Sequence, residues 1–277
     1  MIKFASFNVN SVKARLPRLI EWLSSSKPDV VCLQELKCEE QNFPYEQIAD
    51  LGYNCAVFGQ KTYNGVAVLS KYKIEEIYKD FPEKNNYLNN NSKYAAQARY
   101  IEVIISVKNE IFRVSSIYVP NGGSNLLENQ TLEDSDKFKY KMNFFDQLHE
   151  HLQKISQYDE MQIFAGDFNV ACETIDIYDP KKFDGQILFH SQERQKFRKI
   201  LNLGLVDIFR SKNPHSQAYS WWDYRGNSYT HNKGARIDYI LCSPNIADRT
   251  LEAHIEDKGI RDQEKPSDHC PVSVLIK

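Results

Sequence analysis

Phe138, Met142, Phe145, Leu148, Leu152 and Ile155 step by 4, 3, 3, 4 and 3, the apolar stripe of a long amphipathic helix. That helix leads straight into an apolar stretch at 161–165. A striped helix must bury one face, and a strand apolar throughout must be covered on both. A helix lying on a sheet satisfies both demands, so the pair predicts an α/β fold. The strand then breaks into Gly166-Asp167-Phe168-Asn169-Val170. Chemistry on α/β sheets usually sits where a buried strand leaves the core, because strand ends hold side chains rigidly beside accessible loops. Gly, Asp and Asn also dominate ordinary tight turns, so this stretch alone does not separate a site from a turn.

Other stretches repeat the arrangement. Residues 2–9 read as a strand ending at Asn8-Val9-Asn10, followed by a helix marked by Leu16, Leu19, Ile20 and Leu23, with Pro17 expected in its first turn. Residues 29–35 form a short apolar run that delivers Glu35 to its end, although a lone Glu can equally open a surface loop. Residues 53–58, 64–70, 97–107 and 111–119 read as strands rich in β-branched and aromatic residues. With no helix between them, they suggest antiparallel pairing. The last carries Tyr118 to its end, where a Tyr can also be half-buried packing. Ser191 with Glu193 is expected to cap a second helix, with Phe197, Ile200 and Leu201 on its apolar face and Gly204 at its end.

Residues 236–241 form a strand that holds Asp238 within an apolar run, and a buried carboxylate needs a cationic partner such as imidazolium or Arg. Ser267-Asp268-His269-Cys270-Pro271 precedes a final strand at 272–276. In Ser220-Trp221-Trp222-Asp223-Tyr224-Arg225 the aromatics suit either a core edge or a loop that stacks on bases or sugars. Phe7-Asn8-Val9 and Phe168-Asn169-Val170 echo each other. Two similar layers packed face to face would bring both Asn residues to one rim, though three residues can also match by chance.

No linker or low-complexity tract divides the chain, which reads as one domain over 1–277. The start at Met1 enters a strand pattern at once, and no apolar run approaches a membrane span, so a cytoplasmic protein without a membrane partner is expected. Cys32, Cys38, Cys55, Cys172, Cys242 and Cys270 form no CxxC pair, which suits free thiols in a reducing compartment. The formal charge is -2. Between residues 178 and 238, however, eleven Lys/Arg face six Asp/Glu, so that segment is +5 and the remainder -7. A basic segment beside acids would suit a polyanion held over a metal, and equally a solvated face.

Taken together, Asn8, Glu35, Tyr118, Asp167, Asn169, Asp238, Asp268 and His269 are oxygen-rich strand-end groups, and oxygen donors select a hard divalent cation. Glu35 is the first ligand candidate and Asp268 the second. Asp167 could orient or deprotonate water, and His269, held by Asp238, could serve the phosphate. Neither a GxxxxGK[ST] loop nor a GxSxG elbow is present, which leaves nucleotide-triphosphate use and serine hydrolysis without support.

In order and spacing, FNVN, LQELK, NGVAVLSK, IYVPNG, GDFNVA, GLVDIFR, SWWDYR, RIDYILCS and SDHCPV closely resemble the exonuclease III family of apurinic/apyrimidinic (AP) endonucleases, within the DNase I-like endonuclease/exonuclease/phosphatase superfamily. The resemblance covers 3–276. SDH and GDFN alone would indicate the superfamily; SWWDYR with RIDYIL and LQE narrows it to the DNA-repair branch. It implies a four-layer α/β sandwich, two mixed sheets packed face to face with helices outside. It also implies that Glu35 binds Mg²⁺ or Mn²⁺, with Asn8 beside the ion and Asp268 assisting the metal or the orientation of His269. Asp167 would align the attacking water with Asn8 and Asn169. Tyr118 would contact the scissile phosphate or stabilise the leaving group, and Asp238 and His269 would form a buried pair. Arg99 and Asn121 match DNA contacts, and Trp221 matches an aromatic that closes over an extruded abasic sugar. Some relatives carry Asp where this chain has Asn10, so no ligand role is carried to that position.

The expected activity is therefore metal-dependent incision of double-stranded DNA 5′ to abasic sites, with trimming of blocked 3′ ends as 3′ to 5′ exonuclease, 3′-phosphatase or 3′-phosphodiesterase, by a monomer. Two rivals stand beside it. One is a superfamily phosphatase or sphingomyelinase-like esterase, which would not call for Trp221-Trp222 beside Arg225. The other is a nucleic-acid-binding regulator without catalysis, which would be expected to have lost acids or the His.

Overall fold

The computed structural model describes residues 1–81, 97–123, 131–158, 160–257 and 259–277. Among these residues twelve strands form two sheets: β1 (Ile2–Asn8), β2 (Val30–Gln34), β3 (Asn54–Phe58), β4 (Val66–Ser70), β5 (Ile74–Lys79), β6 (Tyr100–Val107), β7 (Glu110–Tyr118), β8 (Met161–Asp167), β9 (Val206–Asp207), β10 (Asp238–Cys242), β11 (Thr250–Ile255) and β12 (Val272–Ile276). Their orders are β11-β12-β1-β2-β4-β3 and β5-β6-β7-β8-β10-β9. Each sheet has one parallel pair, β1 with β2 and β7 with β8, and antiparallel pairs elsewhere. Both parallel pairs are joined by a helix, Val12–Ser26 in the first and Asp136–Ile155 in the second, as a parallel crossover requires.

The sheets meet face to face through Phe4, Val30, Val66 and Val68 on one side and Val103, Val114, Ile163 and Ile240 on the other. Outside the first sheet, Leu19, Trp22 and Leu23 cover Phe7, Val31 and Leu69. Outside the second, Phe145, Leu148 and Leu152, with Phe197 and Ile200 of the Ser191–Leu201 helix, cover Phe164, Tyr239 and Leu241. This is the expected four-layer sandwich. Burial of both faces explains why β2, β4 and β10 read as continuous apolar runs. A fully buried side chain such as Leu148 contributes about 1.5–3 kcal/mol. Among the described residues, no helix is long and apolar enough to cross a membrane.

Several details depart from the sequence reading. The first helix starts at Val12 with Ser11 as its cap, so Pro17 lies in the second turn rather than the first. The helix continues past it because Leu19, Trp22 and Leu23 are buried further on. The cap of the Ser191–Leu201 helix is His190 rather than Ser191. Its ring accepts from Gln192 N at 3.3 Å, and the Glu193 carboxylate accepts from His190 N at 3.1 Å. Strands β5, β9 and β11 were not legible. β5 pairs on one side only and is largely exposed, so Ile-Glu-Glu-Ile-Tyr-Lys shows no buried pattern. The six cysteines are free, five buried and Cys55 half-buried.

Candidate active site

The two sheets bring their strand ends to one rim. In the second sheet, Asp167 ends β8 and lies in register with Tyr118 on β7 and Asp238 on β10. Gly166 permits that packing: a Cβ there would stand 1.9 Å from the Ile117 carbonyl oxygen. In the first sheet, Asn8 ends β1 opposite Gln34, and Glu35 follows β2 in a left-handed conformation (φ 52°).

Asp167 is the point where these groups meet. Asn8 Nδ2 donates to its Oδ2 at 3.0 Å across the sheet interface, and also to Glu35 Oε1 at 2.9 Å. Asn169, left-handed at φ 49°, donates its backbone N–H to Asp167 Oδ1 at 2.8 Å and its Nδ2 to Oδ2 at 3.2 Å. Both Asn residues of the FNV echo thus reach one carboxylate. Asn121 Nδ2 donates in turn to Asn169 Oδ1 at 3.1 Å.

Behind Asp167, His269 Nδ1 lies 2.8 Å from Asp238 Oδ2, and its Nε2 lies 3.8 Å from Asp167 Oδ2. Ser220 Oγ donates to Asp238 Oδ2 at 2.6 Å, whereas Asp238 Oδ1 is buried with no hydrogen-bond partner among the described residues. The imidazole is therefore the cationic partner that Asp238 required. Burial pushes the Asp167 carboxyl up to about 8; the His269 charge opposes this, and the Asp238 and Glu35 charges add to it. Burial alone would lower His269, but Asp238 and Asp167 outweigh it and hold the imidazole up to about 10. At neutral pH the imidazole is thus held protonated beside Asp238.

Tyr118 is half-buried at the groove edge, with the Arg99 guanidinium 4.6 Å over its ring. Burial, then the Glu35 charge, raises its hydroxyl well above the ordinary value, so the phenol stays a proton donor. The Trp doublet divides: Trp222 is buried at 1 % exposure in an aromatic cluster, and Trp221 is the half-buried residue beside the site. Trp221 Nε1 donates to Asp268 Oδ2 at 3.1 Å.

Among the described residues, Glu35, Asp167 and His269 offer ligand atoms that all lie within 4.8 Å of one another. Two carboxylates there, one of them half-exposed to incoming solvent, fit a hard divalent cation with room for waters and a phosphate oxygen. The other two expected ligands are engaged differently. Asp268 lies outside this triple, its Oδ1 accepting from Asn10 and its Oδ2 from Trp221. Asn8 turns its amide NH₂ toward both carboxylates, and its Oδ1 accepts from Asn10 N at 3.0 Å. Asn8 therefore bridges the acids.

Two supporting residues carry no role in the sequence reading, although Lys37 stands within LQELK. Lys37 lies 2.9 Å from Glu35 Oε2. Lys141, fully buried on the Asp136–Ile155 helix, donates to the carbonyls of Asn169 at 2.7 Å and Asn121 at 3.3 Å and pairs with Glu193. Its position beside the helix's apolar stripe was the only available hint. A groove of about 550 Å³ continues from Tyr118 and Asn121, lined also by Tyr63, Asn64, Arg99, Lys137 and Tyr140, with no Asp or Glu among the described residues of its wall. The basic surplus at 178–238 is partly internal rather than a free patch: Arg210 and Arg236 hold Asp176, Arg194 and Arg198 hold Glu173, and Lys196 holds Asp146.

The endonuclease/exonuclease/phosphatase family profile matches residues 5–269. The chain is 34% identical over 283 residues to exodeoxyribonuclease III of Haemophilus influenzae, covering 100% of both chains. It is 31% identical to an exodeoxyribonuclease of Bacillus subtilis, over 99% of each. Among solved structures, it superposes with an AP endonuclease from Archaeoglobus fulgidus and with the 3′-5′ exonuclease NExo from Neisseria meningitidis. Each gives a TM-score of 0.88 and 34% identity over 100% of both chains.

Proposed function

The chain belongs to the endonuclease/exonuclease/phosphatase family and is a DNA-repair nuclease of the exodeoxyribonuclease III kind; from that premise we propose that it hydrolyses the phosphodiester 5′ to abasic sites and trims blocked 3′ ends. The observation that carries the reading is Asp167, buried where the sheets meet and gripped by Asn8 from one and Asn169 from the other. So held, and deprotonated once a cation sits at Glu35, its carboxylate would accept a proton from the attacking water with little reorganisation. His269, charged through Asp238, donates toward a non-bridging phosphate oxygen. Tyr118 donates toward the leaving oxygen. Glu35 and Asp167 would hold a divalent cation such as Mg²⁺ or Mn²⁺, which would supply charge neutralisation at the phosphate. Trp221 lies against an extruded sugar, and Arg99 and Asn121 take the backbone along the groove that Lys137 also lines.

The chain acts in this scheme as one catalytic domain over 1–277 and as a monomer, and its free thiols suit the cytoplasm. The test is nicking of a duplex with a single abasic site, in Mg²⁺ and in EDTA. Cleavage only with the cation, leaving a 3′-hydroxyl, is expected; equal cleavage in both buffers, or none in either, refutes the proposal.

A further inference from the structure

Lys37 and Asn10 belong to none of the roles above, yet together they connect two of the parts. Lys37 Nζ is shared between Glu35 Oε2 at 2.9 Å and Asn10 Oδ1 at 2.5 Å. Asn10 Nδ2 donates to Asp268 Oδ1 at 2.8 Å, and Asp268 Oδ2 accepts from Trp221 Nε1 at 3.1 Å. The result is an unbroken polar path from Glu35 to the Trp221 indole. Its polarity is fixed by charge. Turning the Asn10 amide over would set its NH₂ against the Lys37 ammonium and its carbonyl against the Asp268 carboxylate. The Tyr224 hydroxyl, 3.4 Å from Asn10 Nδ2, supports the same orientation. Asn10 holds this position in a left-handed conformation, φ 44°, and its backbone N–H is tied to Asn8 Oδ1.

We propose that Lys37 and Asn10 are positioning residues that couple occupancy of the cation site at Glu35 to the placement of Trp221. The proposal rests on the metal-dependent reading above. A divalent cation at Glu35 repels the Lys37 ammonium, which already has a second acceptor in Asn10. Lys37 is then committed to Asn10, whose amide is pulled tighter between Lys37 and Asp268, and Asp268 holds the Trp221 indole. A site without its cation shares Lys37 with Glu35 and holds Trp221 more loosely. By linkage, a ligand that uses Trp221 should also tighten cation binding.

The test follows binding and indole placement separately in the DNA-free protein. Mn²⁺ occupancy is read by electron paramagnetic resonance and tryptophan emission by Mg²⁺ titration. Trp22 and Trp222 are buried and Trp221 is half-buried, so Trp221→Phe identifies the signal. The expected result is a saturable emission change in the wild type that Trp221→Phe abolishes. Asn10→Gly, which keeps the left-handed backbone accessible, and Lys37→Met should each still bind Mn²⁺ but lose the change. A change of wild-type size in both variants overturns the coupling, as does Mn²⁺ binding to the wild type with no change in emission. Loss of Mn²⁺ binding in both variants also overturns it, because it makes these residues supports of the cation site itself. If the wild type binds no Mn²⁺, the metal-dependent function fails with it.

Discussion

Lys141→Met tests whether the site is held from beneath. Lys141 and Glu193 are both fully buried in the assembled layers, and they pair between two helices. Burial lowers the Lys141 ammonium and raises the Glu193 carboxyl, so each charge persists chiefly through the other. Removing the ammonium leaves Glu193 with the His190 N–H on its other oxygen, and it takes a donor from the Asn169 and Asn121 carbonyls. Breaking a buried pair from one side costs about 3–5 kcal/mol. With a denaturant slope of about 3 kcal/mol/M, the urea midpoint falls by about 1–2 M. Lys141→Met/Glu193→Gln removes both charges and keeps an acceptor for His190 N, so most of that loss should return. Activity should not return, because Asn121 and Asn169, which steady Asp167, still lack the ammonium. The assay is urea unfolding beside kcat on abasic duplex for the single and double variants. A single variant within about 0.5 kcal/mol of wild type, or a double variant as unstable as the single, refutes the reasoning.

Asp176 is held by Arg236 Nε at 2.7 Å and Arg210 Nη2 at 2.6 Å. Burial alone would raise its carboxyl, but the two guanidinium groups hold it below the ordinary range. Its stabilisation is present above the unfolded value and lost as pH falls through the folded one. Asp176→Asn should therefore cost about 3–5 kcal/mol at neutral pH and less in acid, read from urea midpoints across the acid limb. In EDTA, thermal stability should fall as pH rises from about 6.5 to about 10, because His269 is raised across that window. The Asp167 shift to about 8 has the same sign below that value. Mg²⁺, which favours the deprotonated carboxylate, should raise the melting temperature more at the alkaline end; a flat profile in EDTA would contradict the Asp238–His269 coupling. Trp221→Ala should raise KM for abasic duplex by about 5- to 150-fold, taking the about 1–3 kcal/mol of a base–aromatic stack as the scale for packing on the sugar, with little change for an ester that has no sugar to pack.

The strand-end acids, Tyr118, His269 and the helical stripe could be found in the sequence because each depends on local order. An apolar run that stops in a polar residue marks a strand end, and a 3.6-residue stripe marks a covering helix. The partners Asp238 would need could be named by class, since a buried carboxylate demands a cation. Which cation it was, and that Asn8 and Asp167, 159 residues apart, share a hydrogen bond, depended on two sheets closing face to face. The same closure turned Asn8 into a bridge, tied Asp268 to Trp221 through the indole N–H, and placed Lys141 under the loops after β7 and β8. It also drew Arg210 and Arg236 inward onto Asp176, so a basic count along the chain overstated a basic surface. The sequence by itself determined the elements and the kinds of group at their ends, because those follow from short-range periodicity and burial. Only the tertiary structure decided which groups meet, because contacts between layers depend on packing that no local run of residues contains.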